Sequence, residues 1–578
     1  MRQAWGVIGA LAALAIAAAI SFTFFDRFWY APDDGAYAHV ASRILQGEVL
    51  NGTVQDIHTG YINAVNATAL AFFGLDLRSM RIPLAALTVV QGLLAFLLLR
   101  RSGTGLALAA SIALSSLSFV QFLNPTAHWY CLFLVLLIPA IIEAVPHDSL
   151  TRLFAFGFVV GLVAMFRQLT GLIVAVAVFG WVLVQSADAE GRSVTIRALL
   201  AVVALLLGGY LLQQTDAVSA VVFGVWPVAL LLIAAWRVRM SLPQALRTLA
   251  ALALGAVTAA LPLVAYHLLH GTLQSWLGDV VGAAFEIPRL EFIEQQRLLG
   301  LAQLALAQFS DWNGPGAAAN ALFWLFLIAL PVLNGALLVW RMWHEEVGVT
   351  GTDALAWLAC FYTLVALHYQ IPIYLFYVAG LNALALAALA VTARGRAVVA
   401  GTLLATSAVA LYFHAGQPLT RGVEGMLRGQ RVAQLEPCGL PRCGLQLHAA
   451  EVSVYRQVVS RIDAHSAASD CILALPSDAE FYFISGRCNP TRFFNSAMGL
   501  RSEAGVDLLV DRLRVMPPAM LIHRPGEKYD TPLTRTLIER LSPYYRQQER
   551  VGEFTLYWDW QPFRSEAATV VTSVSAIR

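Results

Sequence analysis

Long apolar runs broken by short polar turns fill the first 414 positions, and a more even mixture of apolar and charged residues follows. A membrane-crossing helix needs about 20 mostly apolar residues. Runs of that kind occur near 5–25, 79–100, 104–123, 128–145, 152–166, 168–186, 195–213, 218–236, 247–268, 317–340, 354–369, 372–391 and 397–414. They predict about thirteen spans, two of which meet at Arg167. The first run resembles a secretory signal. Asp26-Arg27-Phe28-Trp29-Tyr30 follows it in place of a small-residue cleavage site, so it reads as a retained helix.

Two stretches between spans are long, at about 26–78 and 269–316. Long loops that keep a helical period are functional candidates. In the first, Tyr37, Val40, Ala41, Ile44 and Leu45 share one helical face, with His39, Ser42, Arg43 and Gln46 opposite. Ile62, Val65, Ala69, Phe72 and Phe73 share the face of a second helix. Both are too short to span, and are expected to lie in the membrane interface with their polar sides in water. The second loop repeats the theme with Trp276, Val280 and Phe285, then Leu290, Phe292, Ile293, Leu298 and Leu299, divided by Pro288.

Gly416-Gln417-Pro418 closes the last span. Beyond it, helices are predicted at 449–465, 502–515 and 532–541, buried strands at Cys471–Leu475 and Ala519–His523, and a terminal hairpin from 543–549 and 554–560. The expected fold class is an α-helical polytopic membrane protein with a small C-terminal α/β domain. The expected units are 1–414, a transmembrane bundle, and 415–578, the C-terminal domain.

Composition agrees with this division. Of 578 residues, 58% are hydrophobic and 13% charged, against roughly 25% charged in soluble domains. A net charge of +2 with no basic run argues against nucleic acid as a partner. Lys528 is the single lysine; arginine carries the rest of the positive charge. One set of turns holds Arg2, Arg100, Arg101, Arg152, Arg192, Arg197, Arg237, Arg239, Arg247, Arg341, Arg394 and Arg396. The opposite short turns hold none, which predicts a cytoplasmic N-terminus and places 415–578 outside, in the periplasm of a bacterial inner-membrane protein. Cys438, Cys443, Cys471 and Cys488 all fall in that outer region. Two disulfides are expected there, Cys438–Cys443 with Cys471–Cys488 being the most local of the three possible pairings; a zinc site is the rival reading.

Asp33-Asp34, at the start of the first interfacial helix, is the sharpest chemical feature. The simplest role is structural: Asp33 as helix cap, Asp34 complementing the dipole. A carboxylate at a membrane surface can also take a proton from an acceptor hydroxyl, or hold a divalent cation beside a phosphate. Arg167, between two apolar runs, suits a phosphate at the tip of a hairpin, or is a snorkelling arginine at a helix end. Further polar candidates are Asp56 and His58 in the first loop, and His368 and Tyr369 in the turn His368-Tyr369-Gln370-Ile371-Pro372-Ile373-Tyr374. Tyrosine at a membrane interface is also ordinary. No residue of the C-terminal region carries a chemical signature of its own.

Taken together, Asp33-Asp34 after the first span, Tyr37, a helix ending Arg43-Ile44-Leu45-Gln46-Gly47 and another ending Phe72-Phe73-Gly74 resemble the GT-C superfamily. These are membrane glycosyltransferases that use polyprenyl-phosphate sugars. The likeness is to the bacterial branch of protein mannosyltransferases and lipid A aminoarabinose transferases. Phe481-Tyr482-Phe483-Ile484-Ser485-Gly486-Arg487 and Thr491-Arg492-Phe493 are similar to tail segments of such proteins. The resemblance implies inverting transfer of a sugar from a polyprenyl-phosphate donor to a lipid, glycan or protein acceptor. It places the acidic catalytic residue on Asp33, with Asp34 beside it, and a phosphate-meeting basic residue on Arg167. The family's basic residue late in the first loop, often followed by proline, falls on His58-Thr59, which is a departure. The Tyr-containing outer turn falls on Tyr369 to Pro372. A transporter or flippase of lipid-linked saccharide is the rival class; it predicts inverted repeats and charged, broken helices at mid-membrane, whereas the chain shows no convincing repeat and most spans lack charge there.

Overall fold

Each long apolar run of the first 414 residues falls on a helix. The computed structural model describes residues 2–146, 149–185, 193–286, 297–310, 314–344, 350–368 and 370–561. The chain opens with α1 (Arg2–Phe24), α2 (Ala31–Leu45) and α3 (Tyr61–Phe73). The bundle continues with α4 (Ile82–Leu99), α5 (Thr104–Ser116), α6 (Ala127–Ala144), α7 (Leu150–Phe166), α8 (Gln168–Val184), α9 (Val194–Gln214), α10 (Ala217–Arg237) and α11 (Leu242–Leu269). The second long loop forms α12 (Leu273–Glu286) and α13 (Leu298–Ser310). Then come α14 (Pro315–His344), α15 (Gly351–Tyr362), α16 (Leu364–His368), α17 (Pro372–Leu389) and α18 (Ala393–Phe413).

Among the described residues, 10 helices are long and apolar enough to cross a membrane, so the protein is a multi-pass membrane protein. The other three of the expected thirteen, Leu150–Phe166, Gln168–Val184 and Gly351–Leu367, are apolar but shorter. The first two are cut short because the chain reverses at Arg167, an extended residue (φ −155°, ψ 109°) that ends α7 and begins α8. The arms of this hairpin touch: a Cβ on Gly171 would lie 2.4 Å from Ala164 Cα. Pro139, Pro227, Pro262 and Pro331 sit inside long helices; all but Pro262 are buried against neighbouring helices.

The C-terminal region holds α19 (Gly422–Leu427), a short hairpin of β1 (Leu435–Pro437) and β2 (Gln446–His448), and α20 (Ala449–His465). After these come β3 (Ile472–Leu475), α21 (Glu480–Ser485), α22 (Ser496–Gly499), α23 (Glu503–Val515), β4 (Met520–His523), α24 (Pro532–Leu541), β5 (Tyr545–Val551) and β6 (Phe554–Trp560). The sheet order is β3-β4-β6-β5, with β3 and β4 parallel and the other pairs antiparallel. The strands β3 and β4 are buried along their whole length, which is why they read as unbroken apolar runs. Cys438–Cys443 and Cys471–Cys488 are both disulfide-bonded.

The expected water-facing side of α2 is not there. His39, Ser42 and Arg43 are buried because α21 and the segment after it pack on that face. His39 meets the Tyr482 ring at 4.8 Å and the Asn489 side chain at 3.3 Å. Arg43 forks onto Glu48 at 2.7 and 2.6 Å and donates to the Thr491 carbonyl at 2.9 Å. Gly35 makes this possible: a Cβ there would lie 2.3 Å from the Glu480 backbone nitrogen. In the second loop, Trp276 and Val280 are buried within the protein, whereas 287–296 lie outside the described residues. Asp279 of α12 takes donors from Asn51 (3.0 Å), Gln55 (2.9 Å) and Arg492 (2.6 Å), so bundle loops and C-terminal region lock together there.

Candidate active site

Pro32 lies in the first turn of α2, and the two carboxylates that follow diverge because adjacent helical positions point about 100° apart. Asp34 turns inward and back. Its Oδ2 accepts from the Tyr30 backbone N–H at 3.0 Å and its Oδ1 from Arg81 Nη2 at 2.9 Å. The capping role thus falls on Asp34, not on Asp33 as the simplest sequence reading has it. Both partners of the Asp34–Arg81 pair are fully buried. Burial raises the Asp34 pKa, and the Arg81 guanidinium and Tyr30 N–H oppose that rise. Arg81 also donates to the carbonyls of Phe25 and Arg27, so the pair pins the end of α1, the start of α2 and the start of α4.

Asp33 turns the other way, toward the residues that separate α5 and α6. Asn124 donates to its Oδ2 at 3.1 Å. Burial pushes the Asp33 pKa up to about 6, the Asp34 charge adds to the rise, and Lys528, His58 and the Asn124 hydrogen bond oppose it. One turn on, the Tyr37 hydroxyl lies 3.2 Å from His58 Nε2 and 3.4 Å from Thr126 Oγ1. The other ring nitrogen of His58 lies 2.8 Å from Asp56 Oδ1, which also accepts the His58 backbone N–H at 3.1 Å. Burial would raise the Asp56 pKa, but His58 holds it below the ordinary value, so Asp56 orients the imidazole as an anion.

The next residue ties this loop to the hairpin. Thr59 donates to the Met165 carbonyl at 2.5 Å, two residues before Arg167. Arg167 Nη2 reaches the Tyr374 hydroxyl at 3.4 Å, and its guanidinium lies 6.0 Å from that ring. Tyr374 belongs to a cluster of rings at the start of α17, in which Tyr377 stacks on His128 at 3.8 Å. The fields of Arg167, Asp33 and Lys528 all act on the Tyr374 hydroxyl. Beside Arg167 opens an apolar cavity of about 600 Å³, with Tyr61, Val65, Phe72, Phe73, Leu162 and Phe166 among its walls. Phe72 and Phe73 remain exposed at its rim.

Of the residues singled out from sequence, Asp33, Asp56, His58 and Arg167 therefore all meet or act on Tyr37, while Asp34 is turned away onto Arg81. The His368 side chain and Tyr369 lie outside the described residues. Asn124, Thr126, Tyr374 and Lys528 were not singled out. For Tyr374, its place at the end of the quoted turn was a signal; for Lys528, its being the only lysine was one. Asn124 and Thr126 carry none. Among the described residues, no group of three or more His, Cys, Asp or Glu side chains is arranged to hold a metal ion.

No protein-family model and no curated protein matches the chain. Among solved structures it is similar to ArnT from Cupriavidus metallidurans bound to undecaprenyl phosphate, at 14% identity and a TM-score of 0.37 over 96% of this chain and 98% of that one. It is also similar to ArnT from Cupriavidus metallidurans in the apo state, at 13% identity and a TM-score of 0.35 over the same shares of both chains.

Proposed function

We propose that the protein is a membrane glycosyltransferase that moves a sugar from a polyprenyl-phosphate donor to an acceptor hydroxyl with inversion. One observation carries this reading: a carboxylate, Asp33, and a guanidinium, Arg167, both act on the hydroxyls of Tyr37 and Tyr374, and Phe166, next to Arg167, walls an apolar cavity of about 600 Å³. A ligand with a long apolar chain and an anionic head suits that pairing. The isoprenoid would lie against Phe72, Phe73 and Phe166, with its phosphate at Arg167 and Tyr374.

The chemistry follows from the charges. Asp33 takes the proton from the acceptor hydroxyl as its oxygen forms a bond to the anomeric carbon. The bond from that carbon to the phosphate oxygen breaks, and the phosphate leaves with the electron pair. Arg167, with His58 held by Asp56, offsets the charge growing on it. Asp34, with its oxygens bound by Arg81 and Tyr30, anchors α2 and takes no proton. The arginine distribution supports a cytoplasmic N-terminus, and the two disulfides support a periplasmic C-terminal domain.

The test uses the full chain in nanodiscs with a radiolabelled undecaprenyl-phosphate sugar and extracted envelope glycans, lipids and proteins as acceptors. Transfer of label by the wild type, its loss in Asp33→Asn, and weaker donor binding in Arg167→Ala are expected. Movement of donor across the bilayer without its consumption would make the protein a transporter and overturn this reading.

A further inference from the structure

The site described so far draws on bundle residues, yet the strongest charge opposing protonation of Asp33 comes from the C-terminal domain. Lys528 stands on the turn between β4 and α24. That turn is fixed from within: Asp530 accepts from Gly526 N–H at 3.1 Å and lies 3.3 Å from the His523 ring nitrogen, while Glu527 accepts from Tyr529 N–H at 2.7 Å. It places Lys528 Nζ 5.1 Å from the Tyr30 ring and 4.8 Å from the Tyr529 ring. Two aromatic faces hold an ammonium without neutralising it. Tyr30 is also the residue whose backbone N–H is bound by Asp34, so Lys528 is registered against the first turn of α2, where Asp33 stands.

We propose that Lys528 is a positioning residue of this site, supplied by the C-terminal domain, whose ammonium, set against the first turn of α2 by Tyr30, is the counter-charge to Asp33. The inference rests on Asp33 being the base. Other groups face Asp33 from each neighbouring element. Asp34 on the same helix raises its pKa but is offset by Arg81, and His58 from the first loop lowers it. Tyr37, Tyr374 and Tyr529 are phenols, neutral at working pH, and Arg167 acts on the adjacent Tyr374. Lys528 is thus the full positive charge directed at Asp33 across a domain boundary. Burial would lower its own pKa, but the Asp33 charge and the Tyr30 hydroxyl oppose that fall, so it stays charged through the range in which Asp33 titrates.

Being the single lysine, Lys528 can be altered chemically after the protein has folded. Acetylation removes its charge, whereas reductive methylation keeps it. Two readouts apply to the full chain in nanodiscs: the pH dependence of sugar transfer, and an isotope-edited infrared titration of the Asp33 carboxyl without substrate. Acetylation and Lys528→Met should each move the acidic limb and the Asp33 titration upward by about one pH unit or more, a tenfold change in the anion fraction at fixed pH. Methylation and Lys528→Arg should leave both in place. Acetylated Lys528→Arg controls for the N-terminal amine. A titration that does not move on acetylation would overturn the proposal, as would equal effects of acetylation and methylation. A wild type that transfers no sugar would overturn the glycosyltransferase reading instead, while the infrared titration still decides whether Lys528 sets the ionisation of Asp33.

Discussion

Asn substitutions at the two adjacent aspartates should break different things. Asp34 and Arg81 are both 0% exposed and 2.9 Å apart. Removing one partner of a buried pair costs about 3–5 kcal/mol, because the other charge is left uncompensated. Asp34→Asn keeps the shape and one acceptor oxygen, so the lower end, about 3 kcal/mol, is expected. The Phe25 and Arg27 carbonyls remain on the guanidinium but cannot neutralise it. Against total stabilities of about 5–15 kcal/mol this is a large fraction. A fall in Tm of about 2–3 °C should follow. Asp33→Asn removes a carboxylate whose anion burial disfavours, and so should keep a Tm at least equal to the wild type's while losing sugar transfer. Intrinsic-fluorescence melting of purified protein, paired with the transfer assay, reads both. The double variant Asp34→Leu with Arg81→Met should regain most of the lost stability, since an apolar pair needs no counter-charge. An unchanged Tm in Asp34→Asn, or an equal fall in Asp33→Asn, would refute the division of labour.

Three further outcomes are expected. The Asp33 pKa of about 6 lies above the ordinary carboxylate value of 3.8, so the folded state binds the extra proton between these pH values. Stability from this group is therefore lost as pH rises from about 4 to 6, while transfer activity rises over the same range. Melting temperatures of wild type and Asp33→Asn should converge at pH 4 and separate by pH 7; parallel curves would contradict this. Gly35→Ala puts a methyl group against the Glu480 backbone, where space is lacking by about 1 Å; overpacking of about 1–3 kcal/mol should outweigh the gain in helix propensity of about 1 kcal/mol. Faster proteolytic release of the C-terminal domain is the readout. Cys471→Ser with Cys488→Ser opens a loop with a sequence separation of 17 and should cost about 3 kcal/mol. Because Asn489 and Thr491 follow Cys488 onto α2, hydrogen exchange in α2 should quicken; unchanged exchange would mean the disulfide does not support the docking.

Much of the architecture was legible because apolar length and period report burial directly. Residues 449–465 and 532–541 match their helices to the residue. The helical period also found α2 and α3. What periodicity cannot show is which polar face meets another part of the chain. His39, Ser42 and Arg43 look solvated until Tyr482, Asn489 and Thr491 are brought against them. The same limit hid Arg81, whose partner Asp34 is 47 residues away, and Lys528, whose Pro525-Gly526 surroundings read as an ordinary surface turn. Asp33, Asp34 and Arg167 stood out because charge is scarce in the bundle.

The docking of α21 on α2 also has a consequence in time. The Arg43 to Thr491 hydrogen bond joins residues 448 positions apart. At synthesis rates of about 5–20 residues per second, the face of α2 waits roughly 20–90 s for its cover. Through that interval the nascent chain holds Asp33 without Lys528, and His39 and Arg43 without their partners. Assembly of this site is thus a late event in the life of the chain, and any factor that attends its birth must shield α2 until the last domain has emerged.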